Sequence, residues 1–296
     1  MAALSLFLPG CQTAGWQSAG TAPSKAVLQA AGPEAIHPEW IPFAAGLDFF
    51  AGRVKTPRLE FWALRVDLSR PELRIVVNGA QAEANPPGHI PSTTVSGFVK
   101  RYGCIAGLNT NPFSPVSGRV GEDRRIDGIA VSDGYAAALP NPAFDALVFY
   151  RDGPRAAIVR QADVDAEALR RIEHAAGGFH IVLQQGELSE RVSGSGKNQP
   201  RHPRSAAGVS ADGNVLYLLA VDGRRPGSVG ATEAELGLIL RQLGAFWGLN
   251  FDGGGSTALV LRDARGRVKA VNIPIHRQIP GWERGVAICL GIALAD

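Results

Sequence analysis

The stretch that decides the fold runs from Thr232 to Thr257 and reads Thr-Glu-Ala-Glu-Leu-Gly-Leu-Ile-Leu-Arg-Gln-Leu-Gly-Ala-Phe-Trp-Gly-Leu-Asn-Phe-Asp-Gly-Gly-Gly-Ser-Thr. Its first residues form a capping box, and Gly244 is a helix stop signal. Between them lies an apolar stripe at helical spacing, made of Leu236, Ile239, Leu240 and Leu243. The apolar run at 245–251 predicts a buried strand, which places Asp252 at the carboxyl end of that strand.

Two other segments repeat this design of capped helix, glycine stop and apolar strand. The first predicts a helix from Thr93 or Thr94 to Tyr102, followed by a strand that ends at Asn109. The second predicts a helix that continues to a stop at Gly177-Gly178 and a strand at 179–183. Its apolar face is made of Val164, Ala168, Leu169 and Ile172.

Strands account for the other regular segments of the chain. Residues 59–67 and 73–77 are apolar runs bounded by Pro or Gly, and two hairpins are predicted, at 205–221 and 257–272. Helices next to hairpins predict an α+β fold, with helices packed on a mixed, mostly antiparallel β-sheet. No break in composition divides residues 36–296, so we expect a single domain there.

The amino terminus resembles an export signal of the lipoprotein type. A short apolar run ends in Leu8-Pro9-Gly10-Cys11, and residues 12–35 are rich in Ala, Gly, Ser, Thr and Pro. We therefore expect a signal segment at 1–11, a lipid on Cys11 and a flexible tether at 12–35, with the protein in the periplasm or cell envelope. The alternative is a disordered start with an incidental cysteine.

Composition limits the classes of partner. The net charge of +3 is small, and the 30 Lys and Arg form no basic run. Nucleic acid is therefore not an expected partner, and contact with a membrane is expected only through the lipid anchor. Cys104 and Cys289 lie in apolar segments without metal-ligand spacing, so buried free thiols are the favoured interpretation and a disulfide is the alternative.

The Asp-Gly-Gly-Gly-Ser-Thr turn is the strongest candidate for chemistry. Three glycines after a strand indicate a backbone with positive φ or one that a ligand approaches closely. The amides of Gly253, Gly254 and Gly255, with Ser256 and Thr257, are candidates for a nest of donors that binds phosphate or sugar oxygens. A tight structural turn is the alternative.

Two further polar clusters flank the first hairpin. His202 and Arg204 precede its first strand, and Asp222 and Arg224 follow its second strand. Because the hairpin neighbours the Asp252 strand, we expect these four side chains at the same end of the sheet. Arginine suits bidentate contact with phosphate.

Other common sites are absent from the sequence. There is no P-loop, dinucleotide fingerprint, Gly-x-Ser-x-Gly elbow or His-Glu-x-x-His motif, and the six His are scattered. No metal site and no cofactor are therefore expected.

The ordered set of motifs resembles the phosphodiester glycosidase family. The segments that carry the resemblance begin at His202 (His-Pro-Arg-Ser-Ala-Ala-Gly), Leu216 (Leu-Tyr-Leu-Leu-Ala-Val-Asp-Gly-Arg), Ser228 (Ser-Val-Gly-Ala-Thr) and Leu249 (Leu-Asn-Phe-Asp-Gly-Gly-Gly-Ser-Thr). Asn109 with Phe113, and the Glu283-Arg284 segment, resemble the family's first and last motifs. The loop after Asn109 departs from the Asn-Gly-Gly-Phe-Phe of many members, which bears on the substrate.

This resemblance implies hydrolysis of the bond between a sugar anomeric carbon and a phosphate, in an envelope or extracellular glycan. It implies a catalytic role for Asp252, with His202 or Asp222 in proton transfer. The residues it implies for substrate binding are Asn109, Arg204, Arg224, Gly253, Gly254, Gly255, Ser256, Thr257, Glu283 and Arg284. Two rival functions are a hydrolase of ordinary glycosidic bonds and a non-catalytic polysaccharide-binding protein. The sequence does not indicate the sugar or the oligomeric state.

Overall fold

The computed structural model describes residues 28–79, 86–117, 119–152, 155–194 and 199–295. Over these ranges the chain is mostly β, with mixed and antiparallel sheets and four helices. The predicted mixed, mostly antiparallel pairing is confirmed, but the α+β description understates the β content. Several of the unpredicted strands are short and rich in alanine, such as Tyr135–Ala138, and alanine carries little strand signal.

Nine strands form the largest sheet, sheet A. They are β1 (Leu28–Ala30), β2 (Ile41–Ala44), β3 (Leu47–Val54), β4 (Leu59–Asp67), β15 (His180–Gln184), β16 (Glu187–Leu188), β17 (Arg204–Val209), β18 (Val215–Val221) and β19 (Trp247–Asn250). Their spatial order is β1, β3, β4, β18, β17, β19, β15, β16, and β2 pairs with β3. Only β1 runs parallel to its neighbour, β3.

Three smaller antiparallel sheets complete the β structure. Sheet B has the order β21 (Val268–Ala270), β20 (Leu259–Arg262), β7 (Ala106–Asn109), β22 (Cys289–Leu294), β5 (Leu73–Val77). Sheet C has the order β11 (Tyr135–Ala138), β10 (Ala130–Ser132), β14 (Ile172–Gly178), β12 (Asp145–Tyr150), β13 (Ala156–Arg160). Sheet D joins β6 (His89–Pro91), β9 (Asp123–Ile126) and β8 (Phe113–Ser114).

The four helices are α1 (Val95–Arg101), α2 (Ala166–Arg171), α3 (Glu190–Ser193) and α4 (Glu233–Leu243). The α4 prediction is confirmed, because Thr232 and Glu235 form the reciprocal capping box and Gly244 closes the helix with a φ of 108°. Within the described residues, no helix has the length and apolar character that a membrane span requires.

The predicted second helix is wrong at its carboxyl end. The sequence predicts that this helix continues to Gly177-Gly178, but α2 ends at Arg171 and residues 172–178 form β14. The physical reason is β pairing, because β14 is a central strand of sheet C and bonds to both β10 and β12. The two glycines therefore lie inside a strand, where a Cβ on Gly178 would lie 2.8 Å from the Asn250 carbonyl oxygen.

The layers follow from alternating burial along the strands. On β18, Leu216 and Leu218 face one core while Tyr217 and Leu219 face the other. Helix α4 covers the second core, and sheet B lies across the first. Helix α1 packs on the outer face of sheet B, where a Cβ on Gly107 would lie 2.6 Å from Val99. The layer order is therefore α4, sheet A, sheet B, α1.

The amino-terminal boundary also differs from the expectation. The composition predicts that the tether includes residues 28–35, but β1 pairs with β3 and Pro33–Ala35 forms a 3₁₀ helix. The strand is three residues long and is held by backbone pairing, which the Ala-rich composition does not reveal. The predicted signal at 1–11, Cys11 and tether residues 12–27 lie outside the described residues.

Strand ends from both large sheets meet at one edge of the sandwich. In sheet A, Arg204 pairs with Val221, and the Phe251 amide donates to the Ser205 carbonyl over 2.9 Å. In sheet B, Asn109 at the end of β7 pairs with Cys289. This register brings the Asp252 turn, the Asp222 turn and Asn109 together, and these elements form the candidate site.

Candidate active site

Asn109 clamps the Asp252 turn between the two sheets. Its Nδ2 donates to the Asp252 carbonyl over 2.6 Å, and its Oδ1 accepts from the Ser205 hydroxyl at 2.7 Å and the Ala258 amide at 3.2 Å. The Asp252 amide donates to the Thr110 carbonyl over 2.8 Å. Asn109 is buried and committed to these protein contacts, so the structure gives it a positioning role rather than direct contact with substrate.

The three glycines make room for two guanidinium groups. A Cβ on Gly254 would lie 2.9 Å from Arg224 Nη2, and one on Gly255 would lie 2.6 Å from Arg284 Nη2. Gly254 also has a φ of 62°, which favours glycine, and it is the only one of the three with positive φ. The missing side chains therefore let Arg224 and Arg284 lie directly on the turn.

The backbone donors of this turn are mostly occupied. The Gly254, Ser256 and Thr257 amides donate to the carbonyls of Pro203, Gly253 and Gly254, over 2.8, 3.2 and 3.4 Å. The amide of Gly253 acts to lower the pKa of the Asp252 carboxyl. Of the three glycine amides, that of Gly254 is therefore taken by a protein carbonyl, and the positive charge at the turn comes from arginine side chains.

Asp252 carries a carboxylate that is only partly satisfied. Burial raises its pKa to about 6, although the Ser256 hydroxyl, the Arg284 charge and the Gly253 amide act in the opposite direction. Its Oδ2 is buried without a hydrogen-bond partner among the described residues. A buried oxygen without a hydrogen-bond partner lowers the stability of a folded protein. We therefore interpret Asp252 Oδ2 as an atom that can bind a ligand.

Two more orphan oxygens lie near Asp252 in the chain. Asn250 Oδ1, two residues earlier, and Thr257 Oγ1, five residues later, are both buried and unpartnered among the described residues. Both belong to residues that are 1% exposed or less. Three unsatisfied polar atoms within eight residues set this segment apart from the rest of the described chain, in which only Arg124 and Arg262 have such atoms.

Arg284 connects the turn to His276. Its Nη1 donates to the Ser256 hydroxyl over 3.2 Å, and its Nε donates to His276 Nδ1 over 3.1 Å. Burial lowers the pKa of His276, and the Arg284 and Arg277 charges lower it further, which keeps the ring neutral and able to accept this bond. The indole of Trp282 packs edge-on to His276 with ring centres 5.3 Å apart.

Arg224 places a positive charge against Gly254. It is exposed, has a φ of 59°, and makes no ion pair with a carboxylate among the described residues. A non-glycine residue in the left-handed region is held there at a conformational cost. The cost is consistent with a side chain placed for contact with an anion.

Arg204 lies apart from Arg224, on the α4 side of sheet A. Its guanidinium donates to the carbonyls of Ala231 and Pro200 and pairs with Glu233 over 3.4 Å. Glu233 also contacts His180, with 2.7 Å between Oε2 and Nε2. Each nitrogen of Arg204 therefore has a protein partner, and the structure places this arginine as a support for Glu233.

His202 stands between these groups. It bridges in antiparallel fashion to Ala231 and is half-buried. Burial lowers its pKa, and the charges of Arg204 and Arg224 lower it further against the opposing charge of Glu233. It is therefore a neutral imidazole near pH 7, which is the form that accepts a proton.

Asp222 is part of a buried ion network. Its Oδ2 accepts from Arg225 at 3.1 and 2.6 Å, and its Oδ1 accepts from Asn272 Nδ2 and the Ile273 amide, both at 3.1 Å. Arg225 also pairs with Glu60. Burial raises the pKa of Asp222, and Arg225 opposes this. Both oxygens are saturated with donors, so His202 is the better placed of the two proton-transfer candidates.

Glu283 caps a helix instead of facing the turn. Its carboxylate accepts from the Ser96 amide at 3.0 Å and from the Ser96 hydroxyl at 2.5 Å, at the start of α1. A carboxylate at a helix amino terminus is stabilising. Its neighbour Arg284 faces the opposite way, so two adjacent residues of one motif have different tasks.

Three polar residues at the site were not identified from the sequence: His180, Glu233 and His276. Glu233 was counted only as part of a helix-capping signal, and both histidines were isolated in the sequence. Their meeting depends on the antiparallel pairing of His180 with Asn250 and on the packing of the 254–256 and 276–278 turns. No local pattern encodes either contact.

One group of described side chains has the spacing of a metal site. Ligand atoms of Asp133, Glu173 and His174 lie within 4.8 Å of one another. However, His174 Nδ1 accepts from the Asp133 amide at 3.3 Å, so the neutral ring carries its proton on Nε2, and Glu173 pairs with Arg151 at 3.3 Å. The group belongs to sheet C and its turn, and we assign no metal to it.

The comparisons agree with this architecture. The model of the phosphodiester glycosidase family matches residues 102–293. The catalytic domain of zebrafish N-acetylglucosamine-1-phosphodiester alpha-N-acetylglucosaminidase, auto-inhibited by its pro-peptide, superposes with a TM-score of 0.61 at 18% identity, over 90% of this chain and 87% of that one. A hypothetical protein from Synechocystis superposes with a TM-score of 0.59 at 15% identity, over 88% of this chain and 64% of that one.

A comparison with curated protein sequences found no match. At identities below a fifth, the two structures establish the fold alone. The family match is the stronger finding, because it covers most of the chain, from the end of α1 to β22. It includes every residue of the candidate site. The chain belongs to the phosphodiester glycosidase family.

Proposed function

We propose that this protein hydrolyses a sugar 1-phosphodiester, cleaving the bond between the anomeric carbon C1 and the phosphate oxygen. The observation that carries the proposal is the arrangement at the turn. Arg224 and Arg284 lie against Gly254 and Gly255, next to the unsatisfied carboxylate of Asp252. A cationic surface beside a single carboxylate fits a substrate with an anion on one side of the scissile bond and a developing cation on the other.

In this reaction the two guanidiniums hold the phosphate, and Asp252 faces C1. As the C1–O bond breaks, its electron pair stays on the phosphate oxygen, and the carboxylate stabilises the positive charge on the sugar ring. Water adds to C1, and its proton passes to His202, the neutral base of the site. The products are a free sugar and a phosphomonoester.

The sugar side of the site is the region around Phe179. This aromatic ring is 37% exposed, and its amide donates to the Asn250 carbonyl over 2.7 Å, which places it at the end of β19. His180 and Glu233 offer polar atoms next to it. An exposed aromatic face with adjacent acceptors and donors matches the apolar face and the hydroxyl groups of a pyranose.

The position of the oxygen from water tests the reaction. We would screen a library of glycosyl 1-phosphodiesters in ¹⁸O-labelled water, with Asp252→Ala as the control. Cleavage at C1 leaves the phosphomonoester unlabelled, whereas attack at phosphorus labels it. A labelled phosphomonoester would assign the protein to the phosphodiesterases and overturn the proposal.

The same library separates the two rival functions. A hydrolase of ordinary glycosidic bonds would turn over glycosides that lack phosphate, and the two arginines would then have no anion to bind. A non-catalytic polysaccharide-binding protein would bind without turnover. The buried Asp252 carboxylate favours catalysis, because its pKa is raised to about 6 beside two arginines and carboxylates with shifted pKa values cluster at active sites.

We also propose that the protein is exported and lipid-anchored at Cys11. The proposal rests on the apolar run and the Leu8-Pro9-Gly10-Cys11 segment. Radiolabelled fatty acid should be incorporated by the full chain and not by Cys11→Ser. Labelling that survives this substitution would contradict the anchor.

A further inference from the structure

A cavity of about 840 Å³ opens between strands β2 to β4 of sheet A and the β20–β21 hairpin of sheet B. Its volume lies within the range of roughly 300–1,000 Å³ that is typical of small-molecule sites. Most of its lining side chains are apolar. Phe49 and Trp62 contribute from sheet A, while Val271 and Ile273 contribute from the chain that follows β21. Phe49 and Val271 belong to the main core or pack on it.

This cavity begins next to the arginine-lined turn. Arg225, Asn272 and Ile273 line one end of it, and all three bond to Asp222. Asp222 precedes Arg224 by two residues, and Asn272 also donates to the Thr257 carbonyl over 3.2 Å. The end of the cavity and the wall of the site are therefore built from the same bonded network.

Most of the charged side chains that line the cavity are paired with one another. Both acidic lining residues are paired, Glu60 with Arg53 at 2.7 Å and Asp263 with Arg267 at 2.7 Å. Lys269, which also lines the cavity, has no carboxylate partner among the described residues. Lys269 therefore adds one positive charge to a lining that is otherwise apolar or neutralised in ion pairs.

We propose that the cavity receives the apolar chain of the substrate, so that the group on the far side of the phosphate is a lipid. The inference rests on the proposed function, since the phosphate is placed on Arg224 and Arg284. An amphiphile with an anionic head beside the arginines and a hydrocarbon tail in the cavity matches the charge and the polarity of each part. Burial of the tail supplies binding energy in proportion to the area removed from water.

The first test varies only the chain length. A series of glycosyl 1-phosphates with methyl, butyl, octyl and dodecyl esters would be assayed below their micelle concentrations. We expect kcat/KM to rise by about tenfold or more from methyl to dodecyl. Equal values across the series would overturn the lipid inference and leave the glycosidase proposal intact. A higher kcat/KM for a diester whose second group is a sugar than for the dodecyl ester would also overturn the lipid inference.

The second test fills the cavity. Ala270 lies on β21 and lines the cavity, so Ala270→Trp should abolish the gain from the dodecyl chain and leave the methyl ester unaffected. The methyl ester thus reports folding within the same variant. Ile273→Ser, at a position that is 37% exposed and tolerant of change, should reduce the gain in the same direction. A full dodecyl preference in both variants would contradict the proposal.

A binding measurement decides the inference independently of turnover. Dodecyl phosphate and ethyl phosphate would be titrated into Asp252→Ala by calorimetry. We expect dodecyl phosphate to bind at least about tenfold more tightly, and Ala270→Trp added to this variant should remove the difference. Equal affinities would refute a lipid tail in the cavity, whether or not any phosphodiester is hydrolysed.

Discussion

Two aspartates each follow a strand of sheet A, and their carboxylates differ in their hydrogen-bond partners. Asp222 follows β18 and is surrounded by donors from Arg225, Asn272 and Ile273. Asp252 follows β19, and its Oδ2 has no partner among the described residues. Both precede a glycine, and burial raises the pKa of both. The difference lies in the partners that the fold provides, and it separates a structural carboxylate from one that is available to a ligand.

The largest expected effect belongs to Asp252. Asp252→Asn keeps the shape and removes the charge, so turnover of a glycosyl 1-phosphodiester should fall by about a hundredfold or more, on the order of 3 kcal/mol. Stability should not fall. The folded pKa of about 6 lies above the ordinary value of 3.8, so ionisation of Asp252 weakens the folded state as pH rises from about 4 to about 6. If the folded variant keeps near-parental activity, the Asp-Gly-Gly-Gly-Ser-Thr motif is only a structural turn.

The matched substitution at Asp222 should have the reverse pattern. Asp222→Asn leaves Arg225 and Glu60 in a half-satisfied network, and the loss of one buried partner typically costs about 3 kcal/mol of the free energy of unfolding. The activity of the folded fraction should change by less than about threefold. Urea titration and kcat measured on the same sample would check both. A stable but inactive variant would indicate that Asp222 takes part in catalysis.

The pH dependence sharpens the role of Asp252. If the carboxylate must be ionised, kcat/KM rises with pH through the Asp252 pKa of about 6. Activity at pH 5 should be about tenfold below the plateau. Because His202 is the other group of the proposed reaction that must be deprotonated, His202→Gln should lower the plateau and retain this acidic limb. A profile that falls above pH 6 instead would assign Asp252 as a general acid.

The smallest expected effect concerns the arginine that lies on Gly254. Arg224→Lys keeps the charge and loses the planar fork, so KM for a phosphodiester should rise about fivefold with little change in stability. Arg201→Lys is the matched control, since Arg201 makes a bidentate pair with Glu235 at 2.6 and 2.7 Å, on α4. Equal effects of the two substitutions would indicate that Arg224 does not contact phosphate.

Much of the fold was predictable where the local pattern is strong. The bounds of β4 and β5 agree with the predicted strands, the capping box and Gly244 delimit α4, and the hairpin of β17 and β18 joins as expected. Cys104 and Cys289 are free and buried, as the sequence favoured. The short strands of sheets C and D escaped prediction, because pairing with distant partners stabilises them more than local propensity does.

The sequence predicted which segments form the site but not which of their side chains face a ligand. The sequence placed the Asp252 turn, Arg224 and Arg284 among the candidates, and the register of sheet A brings the first two together. It did not distinguish Arg224 from Arg204, because whether a guanidinium faces a ligand or a carboxylate depends on Glu233, which is distant in the chain. Likewise, Glu283 and Arg284 are adjacent in the sequence and differ only in three-dimensional partners.

The clamp at Asn109 has a consequence for how the turn opens. Asp252 follows a strand of sheet A, but its amide bonds to Thr110 and its carbonyl to Asn109, at the end of a strand of sheet B. The Asp252 amide proton exchanges with solvent when its bond to Thr110 opens, either locally or when the two sheets separate at this edge. Because Asn109→Ala removes the bond to the Asp252 carbonyl, faster exchange at this amide in that variant would show how much the contact between the sheets holds the turn in place.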